Sequence, residues 1–430
     1  MSISALIMTA PLKIVVLGAG YGGLYSFRKL HKRFHADKSV ELILVNKTNY
    51  FVSTPLLHEV ATGGISPEHI VEPIRKVISC ACEQFKLGSV EHLSLRDKLV
   101  YTDKGVIPYD FLVLALGSET NYHAVSGAQE HTYPLKTLED AIRLKNHLIE
   151  VFDKAVFAKD ETELAKLLHF VVVGGGGTGV ELVAEISDFV YGTLSKYYNP
   201  QLDGFIKISL VHAGDELLQN FQRSIRTKSK NVMRKKNINV RLGLKVIEVR
   251  DGALVLNDGE IMNSDTIVWV AGVKPYELKT DVPLETDQGR VVVNRFLQVP
   301  SHPNIFALGD MAAFTNPETA EVLPMLAQVA HKESVGVARN VIRLVEGKNL
   351  IPYSYKHFGD LVSLGQWLAA GELFGFKFFG HLAWFFWRGV YLSKLLSFSK
   401  KIEVLIDWTI DFFTPRDISA IYQCPEKQEK

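Results

Sequence analysis

Residues 13 to 23 read KIVVLGAGYGG, and residues 170 to 183 read FVVVGGGGTGVELV. Each is an apolar β-like run that ends in a glycine cluster and opens an amphipathic helix. Each is followed by another apolar strand, Glu41 to Val45 and Ile206 to Val211. Strand, glycine turn, helix and parallel strand make a βαβ unit. The first glycine of such a turn allows a tight bend, the second lets backbone approach a pyrophosphate, and the third lets the helix pack close on the strand. The helix N-terminus adds N–H donors and a positive dipole end. A single glycine-rich turn occurs without a ligand, but two in this setting predict an α/β chain with two Rossmann-like dinucleotide-binding domains. Two dinucleotides in one chain point to a flavin paired with a nicotinamide.

Two further strands matter for how they end: Phe111 to Leu116 finishes in Gly117-Ser118, and Ile305 to Leu308 in Gly309-Asp310. Hairpin-type turns at Asp251-Gly252 and Asp258-Gly259 mark short strands between them. The pattern predicts a first, flavin-binding domain split into residues 11–118 and 289–346. A nicotinamide-binding domain, 119–288, is inserted between, and a C-terminal region, 347–430, follows. The second strand of a dinucleotide unit usually closes on an acidic residue that holds the ribose. Here the first unit has Asn46-Lys47 and the second His212, so these positions do not choose between NADH and NADPH.

The chain has 430 residues, 48 Lys plus Arg against 47 Asp plus Glu, and a net charge of +1, which leaves no electrostatic footprint for nucleic acid. Hydrophobic residues reach 47%, yet no run approaches the about 18 to 20 apolar residues of a spanning helix. Three cysteines exclude a disulfide scaffold, and Cys80 and Cys82 lack the C-x-x-C spacing of a dithiol centre. The first residues lack the pattern of a secretion signal, and Met8 is a candidate natural start. No metal site is expected: His31 and His35 have helical spacing but sit among Lys29, Lys32, Arg33 and Lys38, as on a solvated basic face. Arg223 to Lys236 holds seven basic residues and no acid, either a solvated helix or one drawn to anionic lipid.

Four of the five tryptophans (Trp367, Trp384, Trp387, Trp408) fall in the C-terminal region. On a helix from Phe378 to Lys400, Phe378, Phe379, Leu382, Phe385, Phe386, Leu392 and Leu396 share one face. Trp384, Trp387, Arg388, Tyr391 and Lys394 fall on the other, as at a headgroup layer. In a second segment Glu403, Asp407 and Asp411 align opposite Ile402, Leu405, Ile406 and Phe413. The pattern fits two helices lying on a bilayer through residues 375–413. Packing on the protein's own core or in a homodimer is the alternative.

The set GAGYGG, PLLHEVATG (Pro55 to Gly63), YDFLVLALGS (Tyr109 to Ser118), GGGGTGVELVAEI (Gly174 to Ile186), VWVAGVK (Val268 to Lys274), NIFALGD (Asn304 to Asp310) and LPMLAQVAHKE (Leu323 to Glu333) resembles the type II NADH:quinone oxidoreductases. These are non-proton-pumping dehydrogenases of the membrane surface. The resemblance implies FAD, held by Gly18, Gly20, Tyr21, Gly22 and Gly23 at its pyrophosphate, Asn46 and Lys47 at the adenosine end, and Gly117, Ser118, Gly309 and Asp310 along the cofactor. Ala327 and Gln328 would lie at the ring and the quinone pocket. NADH or NADPH would be held by Gly174, Gly176, Gly177, Thr178, Gly179, His212 and Gly272.

The matching family glutamate, Glu181, is proposed to assist proton delivery. Helix stabilisation alone would also account for a glutamate there. Lys332 stands where the family has a second Gln of the quinone motif. It either bonds a quinone carbonyl or is an exposed helix lysine. The run from Gly380 to Phe413 looks like the family's membrane-anchoring pair. The implied activity is hydride transfer from NAD(P)H to FAD and then two electrons to a membrane quinone, peripherally on the cytoplasmic face. A soluble reductase of an iron–sulfur protein, or a flavoprotein binding module, would leave the tryptophan-rich tail or the quinone-like helix without a role.

Overall fold

The computed structural model describes residues 10–78 and 84–420. Met8, Cys80 and Cys82 lie outside the described residues. In chain order, the elements that position the sites begin with β1 (Leu12–Leu17), α1 (Gly23–Phe34), β2 (Val40–Asn46), α2 (Leu57–Val60), β3 (Gln84–Leu87) and β4 (Phe111–Leu114). They continue with β5 (His169–Val173), α3 (Gly177–Phe189), β6 (Lys207–His212), α4 (Arg223–Lys235), β7 (Ile238–Leu242) and β8 (Thr266–Trp269). The last are β9 (His302–Ala307), α5 (Ala327–Val345), β10 (Gly359–Ser363), β11 (Ala369–Leu373), β12 (Phe376–Gly380), α6 (His381–Lys394) and α7 (Phe398–Ile410). One compact unit comprises the chain through residue 52, 72–119 and 274–356; the other comprises 53–71, 120–273 and the residues from 357 onward.

The first unit is built on a six-stranded sheet in the order 298–299, β9, β4, β1, β2, β3. All its pairs are parallel except the one between 298–299 and β9. Ile14 to Leu17 of β1 are wholly buried, as expected of a central strand with both faces covered. The second unit holds a five-stranded parallel sheet in the order 133–134, β8, β5, β6, β7, with every residue of β5 buried. In both sheets the strand that feeds the glycine turn lies between its sequence successor and a later strand. That is the switch point where doubly wound folds bind ligands.

The two turns obey the same steric rule. Gly18 and Gly174 have φ of +95° and +123°, and a Cβ there would meet the carbonyl of Ala115 or Val270 at 2.2 or 2.5 Å. Each N–H bonds the neighbouring strand, Gly18 to Val45 O at 2.8 Å and Gly174 to Val211 O at 2.9 Å. A Cβ on Gly23 or Gly179 would lie 1.8 or 1.7 Å from the carbonyl oxygen of Gly18 or Gly174, so helix and strand approach only because these side chains are missing. The middle glycines, Gly20 and Gly176, meet nothing within 4 Å. Strand β4 stops at Leu114, short of the expected Leu116, where the chain peels off to pack on Gly18. Helix α3 starts at Gly177, three residues before the expected Val180, because the turn's last glycines belong to its first turn.

The C-terminal reading needs correction. Phe378 to Lys400 is not one helix: Phe376 to Gly380 is the outer strand of the antiparallel sheet β10-β11-β12, with Phe378 opposite Gly371. Gly375 (φ +84°) turns the chain between β11 and β12, and Gly380 (φ +76°) releases it into α6. Helix α6 ends at Lys394, and α7 begins after Ser397, whose hydroxyl accepts from Lys400 N–H at 3.4 Å. We expect Gly179→Ala to destabilise the fold by about 1 to 3 kcal/mol through overpacking. Gly177→Ala, with open space around its Cβ, should stay within about 0.5 kcal/mol. Denaturant unfolding of the two variants checks both.

Candidate active site

In the first unit the chain ends of β1, β2, β4 and β9 converge on the Gly18 to Gly23 turn. Asn46 closes β2 by accepting Ala19 N–H at 2.9 Å and donating to the Thr48 carbonyl, so it braces the turn, while Lys47 beside it is exposed. After β9, Gly309 takes φ +65° and Asp310 follows in a short 3-10 turn, where its Oδ2 accepts the Ser118 hydroxyl at 2.5 Å. An open glycine turn, a hydroxyl–carboxylate pair and unstrained space at Gly20 are what a dinucleotide with a ribityl chain asks for. Helix α5 opens nearby in sequence with Ala327 and Gln328 half-buried in its first turn. Lys332, one turn on, is not a free surface lysine. It is half-buried, donates to the Lys356 carbonyl and lies 4.8 Å from the centroid of the Tyr355 ring.

In the second unit Gly176 and Thr178 are exposed at the start of α3, so its N–H groups face outward as an anion site. His212, at the end of β6, accepts Gly175 N–H on Nδ1 at 3.1 Å, and burial lowers its pKa. The neutral ring then carries its proton on Nε2, a donor where an acidic residue would be an acceptor. Gly272 (φ +147°) accepts Asn121 N–H at 3.0 Å and lies against the His123 ring. Asn121 and His123 carry no motif, so nothing in the sequence marks them.

Helix α3 also carries three carboxylates, Glu181, Glu185 and Asp188, spaced so that one face is acidic. The C-terminal elements cover that face. Glu181 Oε1 accepts Ser363 N–H of β10 at 2.9 Å and Trp387 Nε1–H of α6 at 3.2 Å. Burial raises its pKa and Glu59 adds to the rise, while His58 and the two N–H donors oppose it. Glu185 is ion-paired with Arg416 at 2.6 Å, and Asp188 pairs with Lys236 and accepts Gln366 N–H at 2.6 Å. Burial alone would raise the Glu185 pKa, but Arg416 outweighs it and the net shift is downward. On α2, the neighbour of α3, Glu59 accepts Trp408 Nε1–H at 2.5 Å, and burial pushes its pKa up to about 7. His58 packs edge-on to Trp387, with ring centroids 5.7 Å apart. The sequence pointed to Glu181; the tail residues that hold it lie some two hundred positions away.

The apolar face of α6 and α7 points outward as expected, but the tryptophan face expected at a headgroup layer is turned into the protein. Trp384, Trp387, Arg388 and Trp408 are buried, with the Arg388 guanidinium 3.8 Å from the Trp384 ring and 4.5 Å from the Trp408 ring. Leu382 (62% exposed), Phe385 (60%), Leu405, Ile406, Ile410 and Phe413 (84%) face outward. Indole N–H groups and a guanidinium turn inward because buried carboxylates await them there. Among the described residues no helix is long and apolar enough to cross a membrane.

Residues 12–334 match the family model described as pyridine nucleotide-disulphide oxidoreductase, and residues 357–417 match the NDH2 C-terminal domain. The type II NADH:quinone oxidoreductase Ndh of Mycobacterium tuberculosis is 30% identical over 421 residues, covering 94% of this chain and 89% of that protein. The internal alternative NAD(P)H-ubiquinone oxidoreductase A1 of Solanum tuberosum mitochondria is 28% identical, covering 95% and 88%. The structure of NDH2 from Plasmodium falciparum in complex with NADH superposes with a TM-score of 0.88 at 22% identity, over 95% of this chain and 99% of that one. Arg416→Ala would leave Glu185 buried and unpaired. We expect a loss of about 3 to 5 kcal/mol in the unfolding free energy of the second unit, read by denaturant titration.

Proposed function

The chain belongs to the type II NADH:quinone oxidoreductase family, flavoenzymes that pass electrons from NADH to a quinone, and from that premise we propose how its own residues divide the work. FAD is held at the Gly18 to Gly23 turn, with Lys47 at the adenosine end and Asp310 and Ser118 along the ribityl chain. NADH is held at the Gly174 to Gly179 turn, with the His212 Nε2–H toward the ribose and Gly272 nearby. The flavin, when bound, accepts hydride and releases electrons in pairs. Everything else falls to side chains.

Reducing a quinone to a quinol takes two protons as well as two electrons, so a donor must stand near the acceptor oxygens. Glu181 fills that role: its raised pKa keeps the carboxyl protonated further toward neutral pH than an ordinary glutamate. Trp387 and Ser363 fix the carboxyl and stabilise the anion left after donation. Within the first unit, Gln328 and Lys332 at the start of α5 are the side chains assigned to quinone binding, Lys332 giving up its bond to the Lys356 carbonyl to do so. The observation that carries the reading is that the indole donor holding Glu181 belongs to α6, whose opposite, apolar face points outward. A patch of this kind suits the hydrocarbon edge of a bilayer. The enzyme thus sits peripherally on the membrane, on the cytoplasmic face where NADH is supplied, and takes its quinone from the lipid.

In stopped flow, Glu181→Gln should slow quinone reduction at least tenfold while leaving flavin reduction by NADH within about twofold. Equal slowing of the two half-reactions would move Glu181 to cofactor binding. The wild-type quinone half-reaction should fall as pH rises through the Glu181 pKa, because the protonated form is the donor. Replacing Leu382, Phe385 and Phe413 together by Asp should release the protein from liposomes while NADH oxidation by a water-soluble quinone continues. Retained liposome binding with a changed oligomeric state would instead assign the face to a second copy.

A further inference from the structure

Glu333 of α5 is fully buried in the first unit and is used by none of the steps above. Its Oε2 accepts Gly309 N–H at 2.5 Å and so fixes the left-handed residue that precedes Asp310. Its Oε1 is buried and has no hydrogen-bond partner among the described residues, and the same holds for Nε and Nη2 of Arg290 and the hydroxyl of Tyr353. Arg290 is anchored by its Nη1–H to the Leu323 carbonyl at 2.7 Å. Tyr353 lies against Gly336, where a Cβ would come within 2.9 Å of its ring, one turn along α5 from Glu333. The charged or titratable groups around the carboxyl are therefore Arg290, Asp310 and Tyr353, with Tyr355 beside the last. Buried polar atoms in native proteins are nearly always paired. Several unpartnered polar atoms within electrostatic reach of one carboxyl leave it poised to bind or release a proton without breaking a packed network.

We propose that Glu333 is a redox-linked proton site at the flavin-binding turn, taking up one proton from solvent when the flavin is reduced and returning it when the flavin is reoxidised. The inference rests on the reading of Gly309 and Asp310 as FAD ligands. Hydride from NADH carries two electrons and one proton, so the flavin gains one negative charge as NAD+ forms, and the exchange itself takes no proton from solvent. A new negative charge in a low-dielectric interior raises the proton affinity of a nearby carboxylate. The carboxylate then binds one proton, and no electron resides on it. Burial already holds the Glu333 pKa at about 8, with Asp310 adding to the rise and the Gly309 N–H and Arg290 opposing it. The coupling therefore grows as the oxidised enzyme ionises, half-developed near that pH and nearly complete about one unit above it.

The test is anaerobic titration of the purified holoenzyme with NADH in weakly buffered solution, with a pH indicator reading protons per flavin reduced. At pH 6.5 to 7, roughly 1 unit or more below that pKa, uptake should be near zero. Between about pH 8 and 9 it should rise toward one. Glu333→Gln keeps an oxygen for Gly309 N–H and should abolish the rise. The midpoint potential of the flavin should likewise steepen with pH above about 8 in the wild type, by one proton per two electrons, and not in the variant. Flat uptake in the wild type overturns the proposal, and so does a rise that persists in Glu333→Gln. If that variant fails to hold flavin, the wild-type uptake and potential decide alone. Asp310→Ala retaining its flavin with unchanged affinity would instead defeat the reading of the turn on which the inference rests.

Discussion

One guanidinium fastens the tail to the rest of the second unit. Arg416 donates from Nη2 to Glu185 of α3 at 2.6 Å, from Nε to Asp411 just past α7 at 3.3 Å, and from Nη1 to the carbonyl and hydroxyl of Thr62 at 3.3 and 3.0 Å. Stripping water from such a group costs several kcal/mol, and the buried fork is tolerable only because its donors find acceptors in fixed geometry. Its partners gain as much as it does. Glu185 can stay ionised in the interior, and the chain beyond α7 is tied to the segment after α2 and to α3 at once.

That anchorage explains why α6 and α7 are inside out. An amphipathic helix on a soluble protein buries its apolar stripe and exposes its polar one. Here the polar stripe has the stronger claim on the interior, because without it Glu59 would lose its indole donor, Glu181 one of its two hydrogen-bond donors and Glu185 its guanidinium. Trp387, Trp408 and Arg416 satisfy them, and Arg388 lies between two of the indoles. The phenylalanines and leucines are left outside, where only another apolar phase can cover them.

What could be read in the sequence follows from the range of the interactions involved. Both glycine turns were legible because their constraint is local: a missing Cβ, a strand before and a helix after. Hairpins at Asp251-Gly252 and Asp258-Gly259 were legible for the same reason and join short antiparallel strands. The tail's amphipathic pattern is legible, but periodicity says only that a helix has two faces and not which one meets the protein. Phe378 was placed on a helix because phenylalanines suit both helix and strand; backbone pairing with β11, a tertiary fact, decides for strand. The surroundings of Lys332 and the Gly309 bond of Glu333 were invisible, since Lys356 and Gly309 lie 24 positions away with no motif linking them.

The three acids of α3 carry the argument one step further. Glu181, Glu185 and Asp188 sit on one helix and are all desolvated, yet Glu181 and Asp188 are pushed toward the neutral form while Glu185 is held ionised. The difference lies in the neighbours of each acid. The Arg416 guanidinium outweighs burial at Glu185, whereas at Asp188 burial and the nearby Glu185 charge outweigh the Lys236 ammonium. At Glu181 burial and Glu59 outweigh His58, the indole and the peptide N–H, which suits a group that must both keep a proton and survive its loss. Most of these donors belong to the tail, so the tail sets the proton affinity of the acid beside it as well as presenting an apolar face. Removing it would change the chemistry of α3 as directly as any substitution in α3 itself.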